Sequence, residues 1–361
     1  ANELLQRFGS EGAAELAGHL DLTFTRLVGE VHARGGEVVR FAGDALVAWW
    51  PEEQGDAAAA AAAALQQVPL PAGLELRVGL GSGRVTAQRL GGREGRFELV
   101  LTGPAVREAC GGGVVPDVEE PAVTPYRAEE VRPEYVPDFV ERRARRPEPW
   151  LAELRQVTAL FVALPALDQA TVRCLQDCAA AHFGVLDKVV HEDKGPVALL
   201  LFGLPAALAP FRPEHALRCA LALRERGLVG GTGVSTGKVF AGPVGPLSRR
   251  EYAVVGSSLN LAARLMQEAG QRLLSDRSTA RLSPRLRFGE ERTLELKGFE
   301  EPVPVLEVQG AEEGPFATAT RGLAGREVEI RALAETLGAD QDATLVFEGE
   351  AGIGKSRLLA L

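Results

Sequence analysis

A chain of 361 residues has room for two or three domains, and its 46% hydrophobic and 25% charged residues are those of an ordinary globular protein. A net charge of −9 and a pI near 5.3 argue against a general nucleic-acid partner, which would usually be basic. The sequence has no apolar run of the ~18 residues that cross a bilayer and no signal-peptide pattern. Its four cysteines make no disulfide framework in so long a chain, so the compartment reads as cytosol with no integral membrane segment.

In chain order, residues 11–32 carry apolar side chains at helical spacing and Gly35 and Gly36 end the helix. Residues 37–41 and 45–50 read as strands around the turn Ala42, Gly43, Asp44, and the alanine run 57–64 as a tightly packing helix. Residues 78–85 (Val-Gly-Leu-Gly-Ser-Gly-Arg-Val) then read as strand, glycine-rich turn and strand, with a further strand leading to Gly103. Residues 111–150 are rich in proline and charge and read as a linker, with the arginine cluster at 141–146 a solvated face.

The same order then repeats. Residues 232–239 (Thr-Gly-Val-Ser-Thr-Gly-Lys-Val) match 78–85 at an offset of 154 residues, and Gly79, Gly83 and Gly91 match Gly233, Gly237 and Gly245 at that offset. One residue of slippage later, 99–103 matches 252–256. Upstream, strands 188–191 and 197–202 flank Asp193, Lys194 and Gly195, and a helix covers 214–226. Two long copies mean a duplicated domain rather than a solenoid of short units. Cys174 and Cys178, four apart on a helix, read as buried or half-buried thiols rather than metal ligands. Residues 296–308 read as a closing β-hairpin.

Three features carry chemistry. Asp44 is a carboxylate in a tight turn between two strands, where it is either a turn-former or a ligand for a divalent cation. Asn260 and Arg264 share one face of a helix, as an exposed polar pair or as groups that orient a ribose and hold phosphate oxygens. Residues 349–356 fit the phosphate-loop pattern G-x-x-x-x-G-K-[ST] between a strand-like 343–347 and a helical 357–361. There Gly349, Gly352 and Gly354 let backbone N–H groups cradle the phosphates of ATP, Lys355 reaches the β/γ positions, and Ser356 ligates Mg²⁺. Lys355 is one of only five lysines.

Residues 41–46 (Phe-Ala-Gly-Asp-Ala-Leu), 251–256, 259–265, the Leu-Lys-Gly-Phe at 296–299 and the phosphate loop together resemble the class III nucleotidyl cyclases. The likeness is strongest to the bicarbonate-responsive soluble adenylyl cyclases, which place two cyclase domains ahead of a P-loop ATPase region. It implies an α/β (α+β) fold: two ferredoxin-like-variant cyclase domains forming a pseudo-heterodimer within one chain, then the start of a P-loop NTPase domain. The boundaries expected are 1–110 for a first cyclase domain lacking its first strand, 111–154 for the linker, 155–310 for the second cyclase domain and 311–361 for the ATPase start.

In that family the active site lies between paired domains, where two Mg²⁺ or Mn²⁺ ions help the ribose 3′-hydroxyl of ATP attack the α-phosphate. Carried over, Asp44 matches the second metal aspartate, and the first belongs to a strand expected before Ala1. The second copy has Ala163 and Gly195 at its own two aspartate positions. It supplies Lys188 for adenine recognition, Ala253 at the base-contacting position, Asn260 for the ribose and Arg264 for the transition state. Where the first copy would repeat that Asn and Arg it has residues 103–110, so one productive composite site is implied. Arg40 stands where a lysine lines the bicarbonate pocket, and Cys110 where an arginine would be. The resemblance implies an adenylate cyclase regulated by the ATPase region and activated by bicarbonate. Ala253 and Cys110 open an alternative: a degenerate cyclase pair sensing a nucleotide or anion on behalf of a signalling ATPase. Guanylate cyclase is less favoured, because Lys188 suits adenine.

Overall fold

The computed structural model describes residues 2–42, 45–71, 75–111, 133–144, 153–192, 195–205, 211–228, 230–246, 249–299 and 301–311, with isolated positions at 328, 332 and 346. The chain divides into a unit of residues 1–310 and a unit of 311–361. The turn holding Asp44 and the phosphate loop, with Gly349, Gly352, Gly354, Lys355 and Ser356, lie outside the described residues.

The first copy comprises α1 (Asn2–Ala33), β1 (Glu37–Ala42), β2 (Ala45–Trp49), α2 (Gly55–Gln66), β3 (Thr86–Arg93), β4 (Arg96–Thr102) and α3 (Pro104–Gly111). A short α4 (Asp138–Ala144) precedes the second copy. That copy runs β5 (Glu153–Ala163), α5 (Gln169–Ala181), β6 (Gly184–Glu192), β7 (Gly195–Phe202), α6 (Pro213–Glu225), β8 (Thr232–Val244), β9 (Glu251–Val255) and α7 (Ser257–Ala269). It closes with β10 (Leu273–Asp276), α8 (Arg277–Arg281), β11 (Leu286–Phe288), β12 (Arg292–Leu294) and β13 (Val303–Ala311).

Among the described residues the second copy builds one mixed sheet in the order β11-β13-β10-β8-β5-β7-β6, with β9 on β8 and β12 on β13. Its interior strand β5 is antiparallel to both β7 and β8 and buried at Val157, Ala159, Leu160 and Val162. The first copy forms only the hairpins β1-β2 and β3-β4 among the described residues. Strand β2, which corresponds to β7, pairs only with β1 there, and Val47 and Trp49 on its outer face are exposed.

Two sequence expectations are corrected here. Residues 232–244 form one continuous strand, not strand, turn and strand, because Gly237 sits within the ladder opposite Val157. A glycine there serves close approach to Ser258, whose Cβ would lie 3.0 Å from an added Cβ. Residues 78–85 are not strand in the first copy: no described neighbour offers them a ladder, and β structure needs a paired partner. The closing hairpin pairs β12 with β13, so its first strand lies at 292–294, ahead of the expected 296–308, and Gly298 has φ 89° between the strands.

The two copies interlock. Hairpin β3-β4 of the first copy lies on α5 of the second, and the far end of β8 lies on α1 of the first. On α1, Leu20, Phe24, Leu27, Val28 and Val31 recur on one helical face. They share a core with Val38 and Phe41 of β1 and with Phe240, Val244 and Ala253 from the second copy. Phe24 and Phe41 meet edge to face, with centroids 4.8 Å apart. Gly91 and Gly245, paired by the repeat, both adopt positive φ (98° and 95°) and each donates its N–H across the crossing. Gly91 donates to Gln169 Oε1 at 3.1 Å and Gly245 to Asp21 Oδ1 at 3.2 Å.

Candidate active site

The interface is pinned by two Arg-x-Glu pairs that the repeat sets in register: Arg96 with Glu98 at the start of β4, and Arg249 with Glu251 at the start of β9. Each arginine docks on the opposite copy's first hairpin. Arg249 donates to the carbonyls of Val38 and Val39 at 3.1 Å each, and Arg96 donates to that of Leu186 at 2.9 Å. Strand edges at this crossing leave carbonyls unpaired, and a fixed guanidinium fork satisfies them in a way a lysine could not.

The glutamates differ in their partners. Glu251 Oε2 accepts the Phe41 N–H at 3.1 Å, and its Oε1 lies 3.9 Å from Lys188 Nζ. Phe41 stands three residues before Asp44, on the strand that leads into that turn. Lys188, only 9% exposed on β6, also lies 4.0 Å from Asp187. Glu98 pairs instead with Arg40 Nη2 at 2.8 Å and with Arg96 at 3.7 Å. Arg40 Nη1 donates to the Val189 carbonyl at 2.7 Å. The positive charge expected at Arg40 is thus present and is already faced by a buried carboxylate. Burial is the dominant influence on Glu98, holding its carboxyl above the ordinary carboxylate range despite both guanidiniums.

Helix α7 positions the other pair. Gly233 lets α7 approach β8: an added Cβ would sit 2.1 Å from the Ala262 carbonyl oxygen. Leu259, Ala262, Leu265 and Met266 bury the inner face, which leaves Asn260 exposed and Arg264 half-exposed one turn on. Arg264 Nη1 donates to Gln267 Oε1 at 2.8 Å on the same helix. Ala253 is 2% exposed, inside the shared apolar core, and offers no polar group there. Lys188 and Ala253 therefore belong to the interface between the copies, whereas Asn260 and Arg264 stand on a helix face open to solvent. Cys110 is exposed on α3. Among the described residues no three His, Cys, Asp or Glu side chains come together to hold a metal ion.

Sequence reasoning missed Arg96, Glu98, Arg249 and Glu251, although the slipped repeat that pairs 99–103 with 252–256 already aligned them. It also missed Gln169 and Gln176. Gln176 Oε1 accepts the Arg93 N–H at 3.0 Å and its amide donates to the Arg96 carbonyl at 3.1 Å. Asp177 adds an ion pair to Arg93 at 2.9 Å. Nothing in local sequence marks a glutamine that finishes another segment's backbone bonds.

His32, at the end of α1, has its pKa lowered by burial first and the nearby Arg249 second. A depressed histidine contributes stability above the unfolded value of 6.5, and that contribution is lost as pH falls through the folded value. Lowering pH from 7.5 into the fives should therefore weaken the crossing, and His32→Gln should flatten that part of a urea-midpoint profile. An unchanged profile would remove His32 from the account.

By sequence the chain resembles the class III nucleotidyl cyclases. Across 243 aligned residues it is 32% identical to adenylate cyclase type 10 of Oryctolagus cuniculus and of Homo sapiens, covering 58% of this chain and 15% of each relative. The chain thus spans about 15% of the length of these curated relatives. Among solved structures, the adenylyl cyclase CyaB from P. aeruginosa aligns with 45% of this chain and 98% of its own, at 20% identity and a TM-score of 0.37. The guanylyl cyclase Cya2 aligns with 45% and 96%, at 27% identity and a TM-score of 0.37. No family model matches the chain. No helix among the described residues is long and apolar enough to cross a membrane.

Proposed function

We propose that residues 1–310 form a nucleotidyl cyclase with one composite site, converting ATP to 3′,5′-cyclic AMP and pyrophosphate. The observation that carries this reading is Glu251, which joins Lys188 of the second copy to the first-copy strand that leads into Asp44. That contact sets Lys188 of the second copy beside β1 of the first. In the reaction the ribose 3′-oxygen bonds to the α-phosphorus, the α–β phosphoanhydride bond breaks, pyrophosphate leaves, and the hydroxyl proton passes to water. Lys188 recognises the adenine, Asn260 orients the ribose, and Arg264 supports charge on the phosphate oxygens. A divalent cation, Mg²⁺ or Mn²⁺, held in part by Asp44 would neutralise phosphate charge. The phosphate loop from Gly349 to Ser356 belongs to an ATPase region that regulates this site. Bicarbonate would act at Arg40 by displacing Glu98, and a flat activity across a millimolar bicarbonate titration would rule that out.

The second reading is a nucleotide or anion sensor without turnover, favoured by the apolar burial of Ala253 and the charge already balanced at Arg40. The deciding experiment is cyclic nucleotide formation from ATP and from GTP, with Mg²⁺ or Mn²⁺. Cyclic AMP that vanishes with a chelator supports the cyclase. Cyclic GMP in its place would reassign the base, and a folded protein that carries the strand expected before Ala1 and yields neither product would support the sensor.

A further inference from the structure

The seam between α5 and α6 holds chemistry that the proposed reaction does not use. Cys174 and Cys178 stand one turn apart on α5, and Arg226, just past α6, directs Nη1 at both sulfurs, 3.2 and 2.9 Å away. Cys174 is half-buried and Cys178 buried, so one thiol of the pair is reachable from solvent. We propose that Cys174 and Cys178 are a dithiol modification site that a low-molecular-weight disulfide oxidises to an intramolecular disulfide.

The step balances as a thiol–disulfide exchange. The Cys174 thiolate, held beside the Arg226 cation, attacks one sulfur of the oxidant and releases the other as a thiol, leaving a mixed disulfide. Cys178 then attacks the Cys174 sulfur and expels the second thiol. Two electrons and two protons pass from the protein to the oxidant, which leaves as two thiols. Burial first, and the neighbouring Cys174 second, push the Cys178 thiol up to about 11, so it serves as the resolving partner rather than the first attacker.

Helical geometry puts the two Cα atoms about 6 Å apart, inside the range of ~4.4–6.8 Å that disulfides span. The Cβ atoms stand about 5–6 Å apart on a regular helix, whereas a disulfide needs about 3.5–4.5 Å. The end of α5 must therefore tighten, and a strained disulfide of this kind is readily reduced. Gln176 and Asp177, which clasp Arg93 and Arg96 of the first copy, lie between the two cysteines. Oxidation thus pulls on the clasp that joins the copies.

Treatment of the 361-residue chain with excess oxidised glutathione, acid quench and tryptic mass mapping tests this. Cleavage after Arg173 and Lys188 leaves both cysteines in one peptide, which is expected to lose two hydrogens. Unchanged thiols, a lasting glutathione adduct on Cys174, or a Cys178–Cys219 cross-link joining two peptides would each overturn the assignment. Arg226→Ala should slow the reaction several-fold at neutral pH; an unaffected rate would strip Arg226 of its role. Amide exchange at Gly91 and Arg93 should quicken about tenfold on oxidation, and identical exchange in the two forms would refute the link to the clasp.

Discussion

Glu98→Ala should lower the unfolding free energy of residues 1–310 by about 3–5 kcal/mol, read as a fall in urea midpoint. Glu98 is 4% exposed and is the carboxylate that both Arg40 and Arg96 face. The cost does not come from losing a strong attraction, since burial already strains the glutamate toward its protonated form. It comes from taking the shared carboxylate away from two part-buried guanidiniums, which keep only backbone carbonyls as partners. Replacing Arg40 and Glu98 together with leucine should therefore recover much of the loss, which a simple attractive pair would not allow. A cost below about 1 kcal/mol for the single variant would mean that water reaches these arginines after all.

Arg264→Ala, by contrast, should leave stability within about 0.5 kcal/mol of the parent and reduce cyclic nucleotide turnover by about 10²-fold. The side chain is half-exposed, its described partner is Gln267 on its own helix, and α7 is anchored by Leu259, Ala262, Leu265 and Met266 instead. Nucleotide binding should persist, because a group acting on the developing phosphate charge contributes to kcat more than to affinity. Full turnover, or a matching loss of binding, would each remove the proposed role.

Much of the secondary structure was legible because its determinants are local. The apolar face of α1, the β1-β2 strand pair and the Ser257–Ala269 helix all follow from local spacing. The strand at 78–85 was misread because strand formation depends on a neighbour, and residue identity alone does not report one. At the candidate site, Lys188 and Ala253 were proposed by likeness to a motif, whereas Glu251, which connects Lys188 to β1, stood within the 251–256 stretch with no role given to it. Its partner Phe41 is 210 residues away in sequence, and no local period encodes such a meeting. Arg40 was read as a positive charge, but the carboxylate that balances it comes from 58 residues further on.

The shared core beneath α1 also sets an order of events during synthesis. Leu20, Phe24, Val28 and Phe41 leave the ribosome long before Phe240, Val244 and Ala253, which complete their packing. At about 5–20 residues per second, the apolar face of the first copy waits on the order of 10–40 s for its cover. The nascent first copy is therefore a natural client for a chaperone, and a chain truncated after the linker would keep that face open permanently.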